Sequence, residues 1–456
     1  MVHRVTKVQI NRHKDIYPYL VEITQNCNNL YNEALYTYRN LYTSAHKDKS
    51  EWYDTEKEVN DLVSEYSKFV DIKISASGCI GRDSLDRLFR NSKNRDYYAL
   101  PAHVNYHVIK RLFENIKSFW QAHKDWEKHP EKYKAEPRLP KYLHKGGMTV
   151  ATLSNQVCKI KKTKKGNYYL RFPKTDKAVN LGKKIISGRL MEVQVIPDGD
   201  VFTVILITED GTDIPEKKEP KRVVSVDPGE SVIMAVANNF GGPMLLFDGK
   251  PVRKANDEYN SGIASLTAKQ TVFKNVKYAI KSHKYYKITR KRNNYIDFAM
   301  HRYAKLLIEY CIMYSVDTIV FGRNKEWKQN TDMGKDSNRR FNQVPYAQLI
   351  SILRYMCEWN GIGLVLQEES YTSQASFLDQ DDIPVYAEDD ETEYHFSGRR
   401  SGRVYTSADG TKIHADLNGA ANILRKRYPD GFKKGVMPDF RNIITIGDPN
   451  QVYCCI

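Results

Sequence analysis

Acidic residues stand beside three apolar segments of this 456-residue sequence. Asp227 ends the strand-like run VVSVD, and Glu368 and Glu369 directly follow the apolar run GLVLQ. Asp416 lies directly before the helical pattern LNGAANILRKRY. Carboxylates held at the ends of buried strands can bind a hard divalent cation. These acids are therefore candidates for a metal-dependent hydrolytic site.

Each acid also has an interpretation that involves no chemistry. Asp227, followed by Pro228 and Gly229, is compatible with an ordinary turn. Paired glutamates at a strand end are usually solvated, and an Asp before a helix is usually its N-cap. The residue types alone leave both interpretations open at each position.

Hydrophobic periodicity indicates the elements that would position these acids. Residues 1–12 alternate like a strand, and the next segment carries an apolar stripe at helical spacing, made of Leu20, Ile23, Cys27, Leu30, Tyr31, Ala34, Leu35 and Tyr38. Helical patterns continue to about Trp126, and a basic segment rich in Pro and Gly then predicts a linker or binding loop. From Met148 to about Glu209, short alternating strands predict a small β-barrel or sandwich.

The composition favours a nucleic-acid partner. The sequence has 71 Lys and Arg against 55 Asp and Glu, a net charge of +16, and its 31 Tyr offer faces on which bases can stack. No apolar run approaches the roughly 20 residues that cross a bilayer, and the first residues lack the apolar core of a signal peptide. We therefore expect no membrane partner and a cytoplasmic protein, or a nuclear one if the host is eukaryotic.

The seven cysteines argue against two kinds of site. They are scattered, and none belongs to a CxxC pair. The sequence therefore encodes neither a disulfide framework nor a thiolate zinc site, and we expect no zinc.

Several motifs occur in an order that is specific to one family. They are LYNEALYTYR, PRLPKY, VDPG, YTSQ and ADLNGAANIL, with a basic helical region before YTSQ. Each motif is weak by itself, but the ordered set spans nearly the whole chain. In this order they resemble the TnpB (OrfB) proteins, the RuvC-like nucleases of insertion-sequence transposons that are related to type V CRISPR effectors and to the eukaryotic Fanzor proteins.

This resemblance implies a fold, a domain layout and partners. The fold would be an α/β RNase H-like (RuvC) nuclease domain with a small β-barrel wedge domain and an inserted helical recognition region. The partners would be a guide RNA from the transposon end and double-stranded target DNA with a short adjacent motif. The boundaries would be 1–12 and 148–222 for the wedge, 13–147 for the recognition region, 223–370 and 411–430 for the nuclease, 371–410 for an insert, and 431–456 for a C-terminal tail.

The resemblance also implies two-metal phosphodiester hydrolysis. Oxygen ligands without His or Cys select Mg²⁺ or Mn²⁺. Asp227 and Asp416 match two of the family's acids, but the usual glutamate after the strand TIVF is replaced by Gly322 and Arg323. Some relatives look similar to this chain in carrying a glutamate at the position of Glu369. We therefore predict that Asp227, Glu369 and Asp416 are the catalytic residues and metal ligands.

The displaced acid leaves a second function open. A chain that lacks its third ligand would be a catalytically silent RNA-guided DNA-binding protein, such as a repressor. A transposase proper is a more distant alternative, because no Tyr or Ser recombinase constellation is recognisable.

Glu368 is a weaker candidate ligand than Glu369, since strand side chains alternate and it should face the opposite way. The leading hypothesis is an RNA-guided DNA endonuclease.

The segment 371–410 departs from the family in a second way. Relatives commonly carry a four-Cys zinc ribbon here, whereas this segment has no Cys, and Ser376 stands where the first thiol would be. His395 alone cannot hold zinc. We expect the fold of this insert to depend on packing of Phe377, Leu378, Val385, Tyr386, Tyr394, Phe396 and Tyr405.

Basic residues recur at three- or four-residue spacing in the helical region before YTSQ, and predict a stripe on one helical face: Lys277, Lys281, Lys284, Lys287, Lys291 and Arg292. A stripe of this kind is often only a solvated face. The net charge and the resemblance favour contacts with nucleic-acid phosphates, which position a duplex without reading its sequence.

Overall fold

The structure is a computed structural model. It describes residues 3–183, 186, 188–274, 278–323, 340, 342–385, 393–432 and 437–451. The chain divides into two units, Met1–Thr212 and Asp213–Ile456. The division falls inside the charged connector DGTDIPEKKEPKR, upstream of residue 222, where the wedge is predicted to end.

The described part of the first unit consists of a strand, a group of helices and six further strands. The strand β1 is His3–Asn11. The helices are α1 (Tyr17–Ser44), α2 (Asp54–Tyr66), α3 (Arg82–Asn91), α4 (Arg95–Ala99) and α5 (Val104–Lys128), with short 3₁₀ turns at Lys49–Glu51 and Pro130–Lys132. The later strands are β2 (Ala151–Ser154), β3 (Lys159–Lys162), β4 (Tyr168–Arg171), β5 (Ala178–Gly182), β6 (Arg189–Asp198) and β7 (Val201–Glu209).

These strands form two antiparallel sheets, with the orders β1-β7-β6-β2 and β3-β4-β5. Strand β1 pairs with β7 along its whole length, from His3 opposite Glu209 to Asn11 opposite Val201. Because β1 and β2 belong to one sheet, helices α1–α5 are inserted between two of its strands in the sequence. The assignment of the strands to a wedge and of the helices to a recognition region stays a prediction.

Helix α1 shows why the periodic stripe predicts a helix. All eight residues of the predicted stripe are buried, and together with apolar residues of α2, α3 and α5 they form one core. The spacing of three and four residues places them on one side of the helix. This helix and its buried face are confirmed.

The second unit alternates strands with long helices. Its strands are β8 (Val223–Asp227), β9 (Val232–Asn238), β10 (Met244–Asp248), β11 (Thr318–Gly322), β12 (Gly363–Gln367), β13 (Arg399–Ser401), β14 (Val404–Thr406), β15 (Lys412–His414) and β16 (Ile443–Ile446). Its described helices are α6 (Lys250–Lys274), α7 (His283–Met313), α8 (Tyr346–Trp359) and α9 (Ala415–Arg427). Within the described ranges of both units, no helix is long and apolar enough to cross a membrane.

Six of these strands form a mixed sheet with the order β12-β11-β8-β9-β10-β16. Strands β8, β11 and β12 run parallel, whereas β9 is antiparallel to both of its neighbours. This order and these directions are those of an RNase H-like sheet, so the predicted RuvC-like core is confirmed. Strand β11, which contains TIVF, pairs in parallel with β12, GLVLQ, and the carboxyl ends of the three parallel strands meet at one edge.

Helices cover both faces of this sheet, as the apolar strand sequences require. Val224, Val226 and Phe321 pack in one core with apolar residues of α7 and α8. Val223 and Val320 point the other way and pack against Ile423 and Leu424 of α9. The alternation along each strand therefore fixes α9 against the centre of the sheet.

Two sequence predictions need correction. The predicted tail 431–456 contains β16, whose run IITI pairs in parallel with β10 and forms an edge of the sheet. A short segment rich in β-branched residues favours a strand even near a chain end. The sequence predicts Asp416 directly before a helix, but the N-cap of α9 is His414, whose ring nitrogen accepts from the Asp416 amide at 3.3 Å. Asp416 is the second residue of the helix.

Candidate active site

Asp227 lies at the carboxyl end of the central strand β8. The turn after it is fixed by Tyr346, a buried side chain whose hydroxyl donates to the carbonyl oxygen of Gly229 at 2.5 Å. The close approach of α9 fixes its other side, since Ser225 Oγ donates to the carbonyl oxygen of Ala420 at 2.6 Å. The backbone that carries the Asp227 carboxylate is thus anchored on two sides.

Glu369 reaches the same edge from β12. Gly322 ends β11 and pairs in register with Gln367, two residues before Glu369. A Cβ atom at Gly322 would collide with the Glu369 carboxylate, and it would lie 3.3 Å from Cδ of Pro228, the residue after Asp227. The Glu369 carboxylate therefore occupies space where a side chain at position 322 would begin, which is where the family usually has its glutamate.

Asp416 enters the site from the first turn of α9. One turn later in the same helix, a Cβ atom at Gly419 would lie only 2.5 Å from Asp227 Oδ2. Only glycine permits this approach between helix and strand, because no L side chain fits in that distance. The small residues of the motif NGAAN therefore have a physical reason: they bring the helix that bears Asp416 against the strand that bears Asp227.

The Asp227 carboxylate lies close enough to the other two acids for their charges to affect its pKa. Burial raises the pKa of Asp227 well above its usual range, and the negative charges of Glu369 and Asp416 raise it further, while the positive charge of Arg400 opposes them. Bringing acids together in a poorly solvated place is unfavourable unless they are protonated or share a cation. The structure thus brings together all three acids that the sequence analysis selected.

The chemistry of this donor set fits a hard divalent cation. All three side chains offer oxygen, and no His or Cys is among them, which suits Mg²⁺ or Mn²⁺. Across the described ranges, however, no group of three or more His, Cys, Asp or Glu side chains is arranged to hold one ion. At this edge, Asp416 Oδ1 accepts a hydrogen bond from Arg400 Nη2 at 2.7 Å.

Arg400 is a site residue that the sequence analysis missed. It lies on β13, in the small sheet β13-β14-β15 of the insert, and its ion pair with Asp416 is partly buried. The only signal in the sequence is the basic segment GRRSGR, which predicts an exposed hairpin equally well. Its role depends on how the insert folds back over α9, and no local pattern encodes that.

Glu368 pairs with a lysine of α9. Its carboxylate forms an ion pair with Lys426, with 2.5 Å between Oε2 and Nζ. Burial tends to raise the pKa of Glu368, but hydrogen bonds from Lys426 and Ser370 outweigh that effect, and the pKa is lowered. Glu368 is therefore an ionised, paired residue and no neighbour of Asp227.

Hydrogen bonds connect the segments of the insert. Ser376, at the place of the first family thiol, donates its hydroxyl to Asp379 Oδ2 at 2.5 Å, and the same oxygen accepts the Ala408 amide at 3.0 Å. Asp381 likewise accepts the amides of Ser376 and Ser397, at 2.7 and 3.0 Å. Two carboxylates therefore join stretches that lie far apart in the sequence.

Packing in the insert follows the prediction only in part. Phe377 and Tyr405 are fully buried, as expected. Val385, in contrast, is 67% exposed, so its predicted packing role is wrong. The next residue, Tyr386, lies outside the described residues.

The basic stripe exists on α7, but it is smaller than predicted. Lys284, Lys287 and Lys291 are exposed, and Lys281 is exposed just before the helix. Lys277 lies outside the described residues.

Arg292 does not belong to this stripe. Its Nε donates to Asn256 Oδ1 at 2.8 Å and its Nη2 to the Gln343 carbonyl at 3.0 Å. Burial lowers the pKa of Arg292. Its side chain turns toward α6, because a residue directly after Lys291 in a helix points to a different side. Arg292 therefore lies off the lysine stripe, and its contact with phosphate stays a prediction.

Two family models match this chain. Residues 192–328 match the model of the probable transposase OrfB_IS605. Residues 346–423 match the model of the Cas12f1-like TNB domain. The two matched segments include Asp227, Glu369 and Asp416. No curated protein matches the chain.

Several solved structures resemble the chain at low sequence identity. A Cas12f1–sgRNA–target DNA complex has a TM-score of 0.48 at 13% identity, covering 92% of this chain and 98% of that one. CasPhi-2 (Cas12j) bound to crRNA and phosphorothioate DNA has a TM-score of 0.35 at 9% identity, covering 96% and 93%. C2c1 of Alicyclobacillus acidoterrestris with single-guide RNA has a TM-score of 0.35 at 9% identity, covering 80% of this chain and 65% of that one. All three TM-scores are below 0.5, so these likenesses carry no conclusion about function.

Proposed function

This chain is a TnpB-like protein, and on that premise we propose that it is an RNA-guided DNA endonuclease that cleaves target DNA beside a short adjacent motif. Its guide would be an RNA transcribed from the transposon end. The observation that carries the proposal is the place of the Glu369 carboxylate, which fills the space at Gly322 beside Asp227 and Asp416. Loss of the third acid alone would not predict a carboxylate in this space.

In this proposal Asp227, Glu369 and Asp416 would hold divalent ions, Mg²⁺ or Mn²⁺. Such ions activate a water molecule and stabilise the leaving oxygen in phosphodiester hydrolysis. Asp227 would contribute from the rigid centre of the sheet, where its backbone is anchored on two sides. Asp416 and Glu369 would approach it from α9 and from the end of β12.

Arg400 would have a supporting role at the same place. Its guanidinium is a permanently charged donor with several N–H groups, and it already lies against the Asp416 carboxylate at 2.7 Å. A scissile phosphate brought to these acids would carry oxygens that a guanidinium binds well. We therefore assign Arg400 to phosphate binding at the cleavage site.

The exposed lysines of α7, and Lys281 just before that helix, would contact the nucleic-acid backbone. Lys281, Lys284 and Lys287 form no ion pair with any described residue, whereas Lys291 is 3.1 Å from Glu258 Oε2 in an exposed pair. Contacts of this kind hold a duplex by its phosphates, while the guide supplies sequence recognition by base pairing. The strands within residues 1–12 and 148–222 would form the wedge, and residues 13–147 would form the recognition region.

One observation favours the second candidate function, a catalytically silent RNA-guided DNA-binding protein. Asp416 is paired with Arg400, and none of the described residues forms a ready group of metal ligands. A permanent pair would withhold one of the three acids from metal. The two functions share their partners and differ only in cleavage.

The test begins with the RNA that copurifies with the protein. Sequencing that RNA identifies the guide, and a DNA duplex matching it can then be offered with Mg²⁺ or Mn²⁺. We expect bound RNA of one kind and metal-dependent cutting of the matching DNA. Protein that carries no RNA at low salt and is stable without it would contradict guide use. Binding of the matching DNA without any cutting would favour the silent protein.

A salt titration tests the lysine stripe. Replacing Lys284, Lys287 and Lys291 by Gln should weaken binding of nucleic acid and reduce the dependence of log K on log salt by about 0.9 for each lysine that normally binds a duplex phosphate. Lys305 is the matched control, because it is exposed on the same helix and pairs with Glu309 at 3.5 Å. An unchanged slope in the triple variant would show that the stripe is only a solvated face.

A further inference from the structure

Lys426 is a buried cation in the last turn of α9, with a side chain only 7% exposed. Its ammonium donates to the carbonyl oxygens of Ser370 and Pro384, both at 2.9 Å. It also forms the ion pair with Glu368, with 2.5 Å between Nζ and Oε2. The Lys426 ammonium is therefore held by two carbonyl oxygens and one carboxylate.

The partners of Lys426 lie on both sides of Glu369 in the sequence. Glu368 precedes it and Ser370 follows it, and the Ser370 amide also donates to Glu368 Oε1 at 2.5 Å. Holding Glu368 and Ser370 therefore fixes the backbone on both sides of Glu369, from which its side chain reaches the edge where Asp227 lies.

Two asparagines of α9 hold the segment that follows. Asn422 Nδ2 donates to the carbonyl oxygens of Thr372 and Ala375, at 2.9 and 2.7 Å. Asn418 donates to the Ala375 carbonyl at 2.8 Å, and its Oδ1 accepts the Phe377 amide at 2.9 Å. Asn418, Asn422 and Lys426 are spaced four residues apart, so they form one polar row along the helix. Asp416 stands at the other end of the same helix.

From this arrangement we propose that Lys426 is a positioning residue for the metal site: it holds the Glu368–Ser370 turn so that Glu369, displaced from its usual strand, faces Asp227. The inference rests on the proposed nuclease function, and it adds a residue that touches neither substrate nor metal. It also explains why a charged lysine is kept in a buried place. A buried ammonium is unfavourable without partners, and here its partners are the groups that need to be fixed.

The test uses a variant that removes the buried pair as a whole. Lys426→Met alone would leave the Glu368 carboxylate without its cation and could fail to fold. The double variant Lys426→Met with Glu368→Gln has no such charge, and Glu368→Gln alone is its background. Lys305→Met is the matched control, because Lys305 is an exposed lysine of α7 whose partner is Glu309.

We expect the double variant with guide RNA to bind target DNA as the unmodified protein does, within about twofold, but to cleave it about 10- to 100-fold more slowly, since a catalytic group displaced by about 1 Å costs that much. The Mn²⁺ concentration at half-maximal cleavage should rise. Lys305→Met should match the unmodified protein in all three measurements. A purely structural role would lower the unfolding temperature without changing the Mn²⁺ requirement.

A direct measurement of Mn²⁺ binding to the guide-bound protein, by electron paramagnetic resonance, separates this inference from the proposed function. Weaker Mn²⁺ binding in the double variant than in Glu368→Gln supports the role of Lys426, even if the unmodified protein never cuts DNA. Equal Mn²⁺ affinity and equal cleavage in a folded double variant would overturn it. Absence of cleavage by the unmodified protein would instead contradict the nuclease function.

Discussion

The carboxyl edge of the sheet, which we propose as the active site, and the insert both lack residues that the family motifs usually contain, and the structure fills the two places differently. At the edge of the sheet, Gly322 stands in place of an acid, and the Glu369 carboxylate reaches the vacated space from the neighbouring strand. In the insert, Ser376 stands in place of a thiol, and hydrogen bonds to Asp379 join the segments instead. At the sheet edge, a carboxylate still occupies the place of the usual acid. In the insert, hydrogen bonds replace metal–thiolate bonds, but the segments are still joined.

This difference shows what each region needs. A metal site requires a carboxylate within bonding distance of the ion, and a carboxylate from either strand can meet this requirement. A structural junction requires only that its segments stay together, which hydrogen bonds and buried aromatic rings such as Phe377 can do. The edge should therefore be sensitive to loss of charge and the insert to loss of hydrogen bonds.

The largest effect should come from removing charge at the edge. Asp227→Asn and Asp416→Asn keep the size of each side chain but remove one ligand charge. We expect each to reduce guided cleavage by on the order of 10³-fold or more, as losses of essential catalytic groups do. Binding of target DNA by the guide complex should be unchanged. Near-normal cutting by either variant would remove that residue from the proposed site.

The next effect concerns the space at Gly322. Gly322→Ala places a methyl group against the Glu369 carboxylate and 2.8 Å from Ile423 Cδ1. We expect destabilisation of about 1–3 kcal/mol from overpacking, and slower cleavage because Glu369 must shift. Gly81→Ala is the matched control, since a Cβ atom there meets nothing within 4 Å. Equal cleavage rates in the two variants would mean that Glu369 does not need this space.

The insert should respond to Asp379→Asn in stability more than in chemistry. This change weakens the contacts with Ser376 and with the Ala408 amide, and we expect a loss of about 1–3 kcal/mol in the free energy of unfolding. Cleavage by the folded fraction should remain within a fewfold of normal. Elemental analysis of the unmodified protein should show no stoichiometric zinc. One zinc per chain would mean that a metal, and not these hydrogen bonds, joins the segments of the insert.

A smaller effect should appear in the pH dependence of metal binding. Because the pKa of Asp227 is raised in the metal-free fold, that fold retains a proton which the unfolded chain releases, and stability falls as pH rises from the ordinary Asp value toward the raised one. A cation favours the ionised form. Mn²⁺ should therefore raise the unfolding temperature more at about pH 8 than at about pH 5. Asp227→Asn should abolish this difference, and an equal shift at both pH values would contradict it.

Local patterns predict those parts of the molecule that local physics determines. The stripe of α1 follows from periodicity, whereas the selection of Asp227, Glu369 and Asp416 depends on the ordered motifs and on the family resemblance that they carry. Arg400 could not be found in this way, because it reaches Asp416 only through the fold of the insert. The place of Arg292 off the stripe could not be predicted either, because spacing along a helix does not show that Asn256 and Gln343 lie opposite it.

The measurement that tests the central claim most directly is guided DNA cleavage by Glu369→Gln, with Glu368→Gln as its neighbour and control. If Glu369 replaces the missing acid, its Gln variant should bind target DNA normally and cut it on the order of 10³-fold more slowly, like Asp227→Asn. Glu368→Gln should retain most of the activity. Normal cutting by Glu369→Gln would contradict the account, and so would equal losses in the two Gln variants.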